Sequence, residues 1–142
     1  MKLTTLLVIA VVLSSCGKKK EEDFYSKGQA DTSLAQSINR GKATYNDLCI
    51  TCHLGNGEGV PRAFPPLANS DYLKDNQESS IKAVKYGMSG EVVVNGVTYN
   101  SVMATMGLDD QEVADVMNYI NNSWGNKYGE EITAEKVTNI TP

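Results

Sequence analysis

The stretch Cys49-Ile50-Thr51-Cys52-His53 decides how this chain is interpreted. Two cysteines separated by two residues, with a histidine directly after the second, form the attachment pattern of a c-type haem. The spacing has a physical basis, because two thiols add to the vinyl groups on one edge of a porphyrin while the adjacent imidazole reaches the iron. We therefore predict one covalent haem c, held by Cys49 and Cys52, with His53 as an axial ligand.

Other uses of paired cysteines fit the sequence less well. A thioredoxin-like dithiol follows a strand in a βαβ unit, whereas a helical pattern precedes this motif and a glycine-rich loop follows it. A structural zinc site needs a fourth ligand, but His53 is the only histidine and the third cysteine, Cys16, lies near the N-terminus. A plain disulfide would leave His53 unexplained.

The N-terminus has the order of an export signal that ends in a cysteine. Lys2 precedes an apolar run over residues 3–13, and Ser14-Ser15-Cys16 follows. This ending resembles the lipobox of bacterial lipoproteins, which implies removal of residues 1–15 and lipidation of Cys16. The run is too short to span a bilayer, so the membrane contact would be a lipid anchor. An ordinary cleaved signal with an incidental cysteine is the alternative.

Composition divides the rest of the chain into three parts. Residues 16–32 are charged and polar, which predicts a flexible tether. Residues 33–128 hold the apolar patterns of one domain, and residues 129–142 are predicted to be a polar, loosely held tail. The chain has 13 basic and 17 acidic residues without a basic block, so nucleic acid is not an expected partner.

Local patterns in the domain are mostly helical. Apolar or small residues recur every three or four positions over residues 33–49, which predicts a helix that runs into Cys49. A short helical turn is expected near Asp71, and a further helix over residues 79–86 should end at Gly87.

Two stronger local signals follow in the second half of the domain. Residues 91–99 alternate around Asn95-Gly96, the turn pair that favours a β-hairpin. Asp109 and Glu112 have the spacing of a capping box, so the last helix should begin there and end near Trp124.

Taken together, residues 34–127 resemble class I c-type cytochromes. Gly41 and Tyr45 match positions on the first helix of that family, and Val116 and Tyr119 match the positions that cross over them on the last helix. The resemblance implies an all-α cytochrome c class I fold, with a small β-hairpin insertion between the middle and C-terminal helices.

Residues 63–73, 97–103 and 122–126 are more narrowly similar to the haem domains attached to copper nitrite reductases and quinoprotein dehydrogenases. The family's Pro-x-Leu pattern falls on Pro65-Pro66-Leu67. This match implies that the Pro65 carbonyl accepts a hydrogen bond from the second ring nitrogen of His53. The alternative is that the prolines only stiffen the loop.

Without a second histidine, a methionine thioether is the expected sixth ligand. The initiating methionine is lost with the leader and Met117 lies on the apolar face of the last helix, which leaves Met88, Met103 and Met106. The resemblance implies Met103, with Met106 as the alternative and Met88 or an open site as further possibilities. The family usually has proline after its ligand, whereas alanine follows here, so the ligand loop loses a restraint on φ.

These features predict a mono-haem, single-electron carrier in an exported respiratory chain, lipid-anchored on the periplasmic side of a bacterial membrane. Its donor would be a dehydrogenase or a quinol-oxidising complex, and its acceptor a terminal reductase or oxidase. No catalytic residues and no small-molecule substrate are expected, because the sole histidine is already used. A fixed haem subunit of a membrane-associated oxidoreductase is the alternative, and a sensor would need a displaceable sixth ligand.

Overall fold

The computed structural model describes residues 33–142, so the predicted signal peptide, Cys16 and the tether lie outside the described residues. Helix α1 covers residues 33–44. The elements that follow are a π-helical segment Tyr45–Cys49, α2 Ile50–His53, α3 Asp71–Asp75, α4 Gln77–Tyr86, β1 Val92–Val94, β2 Val97–Tyr99, α5 Asp110–Asn121 and α6 Ala134–Thr138. Within residues 33–142, no helix has both the length and the apolar character needed to cross a bilayer.

Helices α1 and α5 cross at Gly41, where the two backbones touch. A Cβ atom added at Gly41 would overlap the Asp115 carbonyl group and lie 2.8 Å from the Val116 nitrogen. One turn later, the Tyr45 ring packs against Tyr119 with 5.3 Å between ring centroids. The crossing that the resemblance implied is therefore confirmed, and glycine is the residue that permits it.

A buried carboxylate ties the two crossing helices together. Asp115 is 3% exposed, and it accepts hydrogen bonds from Arg40 Nε at 2.6 Å and Ser37 Oγ at 2.7 Å. Burial by itself would raise the pKa of Asp115, but the hydrogen bonds from Arg40, Ser37 and Gln111 and the Arg40 charge hold this pKa below its ordinary value. The ionised carboxylate is therefore the form that the fold stabilises.

We expect Asp115→Asn to lower the free energy of unfolding by about 2 kcal/mol at pH 7, because it removes a charge-assisted pair inside the crossing. The folded-state pKa lies below the unfolded one, so the stabilisation is present above the unfolded value and is lost as pH falls through the folded value. In urea titrations, the difference in free energy of unfolding between variant and wild type should decrease as the pH is lowered from 7 to 3. Asp75→Asn, at an exposed position, is the control. A difference in free energy of unfolding that does not change with pH would contradict a stabilising role of the ionised Asp115 carboxylate.

The predicted hairpin is present and docks onto α3. Asn95 and Gly96 both have positive φ, 51° and 75°, as a two-residue hairpin turn of this type requires. The Asn95 amide donates to the Asp71 carboxylate at 2.7 Å, and the Asp71 amide donates to the Asn95 side-chain oxygen at 3.0 Å. This reciprocal pair fixes the hairpin, and with it the inward-facing side chains of β1.

The predicted helix ends are largely confirmed. The capping box of α5 forms between Asp109 and Glu112, and α4 ends at Gly87, although it begins two residues earlier than predicted. Helix α5 ends at Asn121, before the predicted end near Trp124. Trp124 has a φ of 53°, a left-handed backbone that cannot continue the helix.

The prediction of a loosely held tail over residues 129–142 is wrong. Helix α6 packs against α5, and Ile132, Val137 and Ile140 are 2%, 0% and 8% exposed. The side-chain amide of Asn118 donates to the Ile132 carbonyl at 2.8 Å and accepts from its amide at 2.9 Å. Three buried apolar side chains and this pair hold the segment, which we call the C-terminal strap (residues 132–140).

Candidate haem-binding site

The two cysteines of the motif lie at the end of the first helical run. The helix widens to a π-helical turn directly before the motif, and Cys49 is the last residue of that turn. Cys49 and Cys52 are both free, partly buried thiols. Burial, with a smaller contribution from Cys52, raises the pKa of Cys49 to about 11, so the thiol is neutral and suits the apolar wall that it forms.

His53 is held in the form that an iron ligand needs. It is 8% exposed, and its Nδ1 lies 3.0 Å from the Pro65 carbonyl oxygen. Burial lowers the pKa of His53, and the bond to Pro65 offsets this only in part. The ring is therefore neutral, and with Nδ1–H donating to Pro65 the lone pair is on Nε2.

The glycine-rich loop brings Pro65 to His53. The Gly59 amide donates to the His53 carbonyl at 3.0 Å, and Gly59 has a φ of 65°. A Cβ added at Gly59 would overlap the backbone of Phe64 and Pro65. The loop can turn back over the motif because this position carries no side chain.

Two adjoining cavities open beside the motif. Their walls are mostly apolar, and neither lining contains an Asp, Glu, Lys or Arg residue. The residues common to both linings are Cys49, His53, Pro65, Met88, Val92 and Met103. A flat apolar group with thiol, imidazole and thioether partners fits the chemistry of this lining.

The structure places the candidate sixth ligands differently. Met103 and Met88 exchange two backbone hydrogen bonds of 2.9 Å each, so they are directly opposed and their side chains lie on the same side. Both methionines line both cavities, whereas Met106 lines only the larger one and is 37% exposed. Met117 is fully buried in the core. The structure thus brings Met103 and Met88 together at the cavities that His53 lines.

No sequence pattern indicated that the end of α4 restrains the ligand loop. A Cβ added at Gly87 would lie 2.7 Å from the Met103 carbonyl oxygen, and Thr105 Oγ1 donates to the Lys85 carbonyl at 3.3 Å. A proline after Met103 would restrain φ in this loop. Here the contacts with Lys85 and Gly87 restrain the loop instead. The apolar lining from α4 and β1 was also missed, because Val84 and Val92 look like ordinary core residues.

The family model for cytochrome c matches residues 38–124. This chain belongs to the cytochrome c family. Cytochrome c-552 of Thermus thermophilus is 39% identical over 101 residues, which cover 65% of this chain and 77% of that protein. The alcohol dehydrogenase (quinone) cytochrome c subunit of Gluconacetobacter polyoxogenes is 37% identical over 105 residues, or 70% of this chain and 22% of that subunit. The gluconate 2-dehydrogenase cytochrome c subunit of Pantoea cypripedii is 32% identical over 95% of this chain and 32% of its own length.

Membership of the cytochrome c family confirms the predicted class and the predicted helical fold with a small hairpin. A covalently bound haem c comes with this family, and the protein is an electron carrier rather than a catalytic enzyme. Two of the similar proteins are cytochrome c subunits of dehydrogenases.

Proposed function

We propose that this cytochrome c binds one haem and carries single electrons in an exported respiratory chain, from a dehydrogenase or quinol-oxidising complex to a terminal reductase or oxidase. The observation that carries the proposal is that Cys49, His53 and Met103 line the same two apolar cavities. Bound haem supplies one-electron chemistry, and the protein sets its potential through ligation and burial.

Each residue of the site has a distinct role in this proposal. Cys49 and Cys52 would hold the porphyrin through thioether bonds, and His53 would bind the iron through Nε2. Pro65 accepts from Nδ1 and fixes the imidazole plane. Met103 would supply a thioether ligand, and a histidine–methionine pair would favour ferrous iron and raise the reduction potential. The mostly apolar walls would limit the access of water to the metal.

Electron exchange in this proposal takes place at the mouth of the larger cavity. Leu48, Val102 and Met106 line that cavity and are 40%, 74% and 37% exposed. A small apolar contact suits an encounter that must be brief. The lipid at Cys16 and the tether over residues 16–32 would keep the domain at the periplasmic side of the membrane while allowing it to reach its partners.

A fixed haem subunit of a membrane-associated oxidoreductase is the second candidate. Two similar proteins are dehydrogenase subunits, and the exposed apolar side chains at the cavity mouth would suit a permanent contact as well. Purification from native membranes separates the two candidates. Recovery in a fixed ratio with one enzyme supports the subunit, and recovery as a separate protein supports the carrier.

Met103→Ala is expected to abolish the weak far-red absorption that a methionine sulfur gives with ferric haem iron. The same variant should let carbon monoxide bind rapidly to the reduced protein, because the sixth position is open. Met106→Ala is the matched control on the same loop and should leave both properties unchanged. Loss of the band in Met106→Ala alone would reverse the assignment, and rapid, complete carbon monoxide binding by the wild type would count against the carrier.

A further inference from the structure

The C-terminal strap contacts the last two residues of α4. Lys85 Nζ donates to the Val137 carbonyl at 2.8 Å, and Tyr86 Oη donates to the Ile140 carbonyl at 2.9 Å. The strap lies beyond residues 38–124, the part that matches the cytochrome c family. It lies outside the matched region and contacts one particular turn of the matched domain.

The same turn of α4 holds the proposed ligand loop. The Lys85 carbonyl accepts from Thr105, and Met88, two residues after α4, forms the pair of backbone hydrogen bonds with Met103. Gly87 stands between these contacts and lets the two backbones approach closely. Residues 104–107 are all exposed, so the contacts to the end of α4 restrain the loop after Met103, while before Met103 Ser101 Oγ donates to the Ala63 carbonyl.

The strap is fixed firmly enough to act as an anchor. Thr138 Oγ1 donates to Asp110 Oδ2 at 2.7 Å, and Lys85 forms an ion pair with Asp110 at 2.9 Å. Val137 is fully buried in the core. One carboxylate at the start of α5 thus joins the strap and the end of α4 in a single cluster.

We propose that the C-terminal strap positions Met103, because it holds the last turn of α4 and that turn holds the ligand loop. This inference rests on the proposed ligation by Met103. The residues of the strap act through α4 and do not touch the haem cavities. Loosening the strap should increase the fraction of time for which the thioether is away from the iron, and carbon monoxide traps that open state.

Tyr86→Phe and Val137→Ala in the full-length holoprotein test the proposal. Tyr86→Phe removes one hydrogen bond to the strap and keeps the ring, while Val137→Ala removes strap packing. Tyr128→Phe is the matched control, since its hydroxyl makes no hydrogen bond within residues 33–142. Ser37→Ala weakens the distant α1–α5 crossing and shows what a general loss of stability does.

The measurements are the rate of carbon monoxide binding to the reduced protein, the far-red absorption of the oxidised protein, and urea unfolding. We expect Tyr86→Phe to bind carbon monoxide about fivefold faster than the wild type, the effect of losing roughly one hydrogen bond, and Val137→Ala to bind it faster than the wild type because strap packing is lost. Ser37→Ala should unfold at lower urea but bind carbon monoxide at the wild-type rate. Equal rates in strap variants and controls, with the band intact, would overturn the role of the strap alone.

Failure of the underlying ligand assignment has a different signature. If Met103→Ala leaves the far-red band unchanged, or the wild type lacks it, ligation by Met103 is wrong and the strap inference falls with it. If Met103→Ala removes the band but the strap variants match Tyr128→Phe, only the strap inference fails.

Discussion

Gly41→Ala is expected to destabilise the folded protein by about 3 kcal/mol or more, a large part of the stability of an ordinary domain. Helix propensity alone predicts the opposite, since alanine in a helix is favoured over glycine by about 1 kcal/mol. The close contact between α1 and α5 at Gly41 determines whether the substitution stabilises or destabilises the protein. The added Cβ would overlap the Asp115 carbonyl group, and a backbone atom cannot rotate out of the way, so α1 and α5 would have to separate.

Separation of these helices would also disturb the haem site. Helix α1 leads through the π-helical segment to Cys49, and Val116 of α5 lines one of the cavities. We therefore expect Gly41→Ala to lower the yield of haem-loaded protein as well as the urea midpoint measured by circular dichroism.

Gly55→Ala is the matched control for this change. A Cβ at Gly55 would lie 4.0 Å from Ile50 Cδ1, which is an ordinary contact distance, so the variant should unfold close to the wild type. A Gly41→Ala protein as stable as wild type would show that the two helices can move apart at little cost. That result would remove the crossing as the reason for glycine here.

The parts of the fold that were predicted correctly are those set by local chemistry. The Asn95-Gly96 turn and the Asp109 capping box each depend on residues within four positions of one another, so the pattern contains the whole interaction. The C-terminal strap was predicted wrongly for the opposite reason. Its burial depends on Asn118, and its few apolar residues stand among polar ones, so no short window showed a core-facing pattern.

In the candidate site, too, the features that depend on local sequence were predictable and those that depend on long-range contacts were not. The motif places Cys49, Cys52 and His53 in consecutive turns, and this information is local. The partner of His53 came only from a family resemblance, since the loop back to Pro65 depends on the positive φ of Gly59. The contacts that restrain Met103 come from the end of α4, more than ten residues earlier in the sequence. The sequence of the loop itself does not predict them.

The double variant Cys49→Ala/Cys52→Ala is expected to lose covalently bound haem completely. In a host competent for haem ligation, the wild-type chain washed with acidified acetone should keep the mass of one haem, because thioether bonds survive the wash and axial bonds to iron do not. The double variant should have the mass of the bare polypeptide. A pyridine haemochrome spectrum checks the same point, and Thr51→Ala is the control, an exposed position between the two cysteines.

Loss of haem should also cost the double variant its fold. The two cavities have mostly apolar walls, and without an occupant these side chains lose the packing contacts that haem would supply. We expect the near-ultraviolet circular dichroism of the variant to be weak and its urea transition to be broad, while Thr51→Ala retains both. Wild-type protein with free thiols at both positions would contradict the haem assignment, because covalent attachment converts both thiols to thioethers.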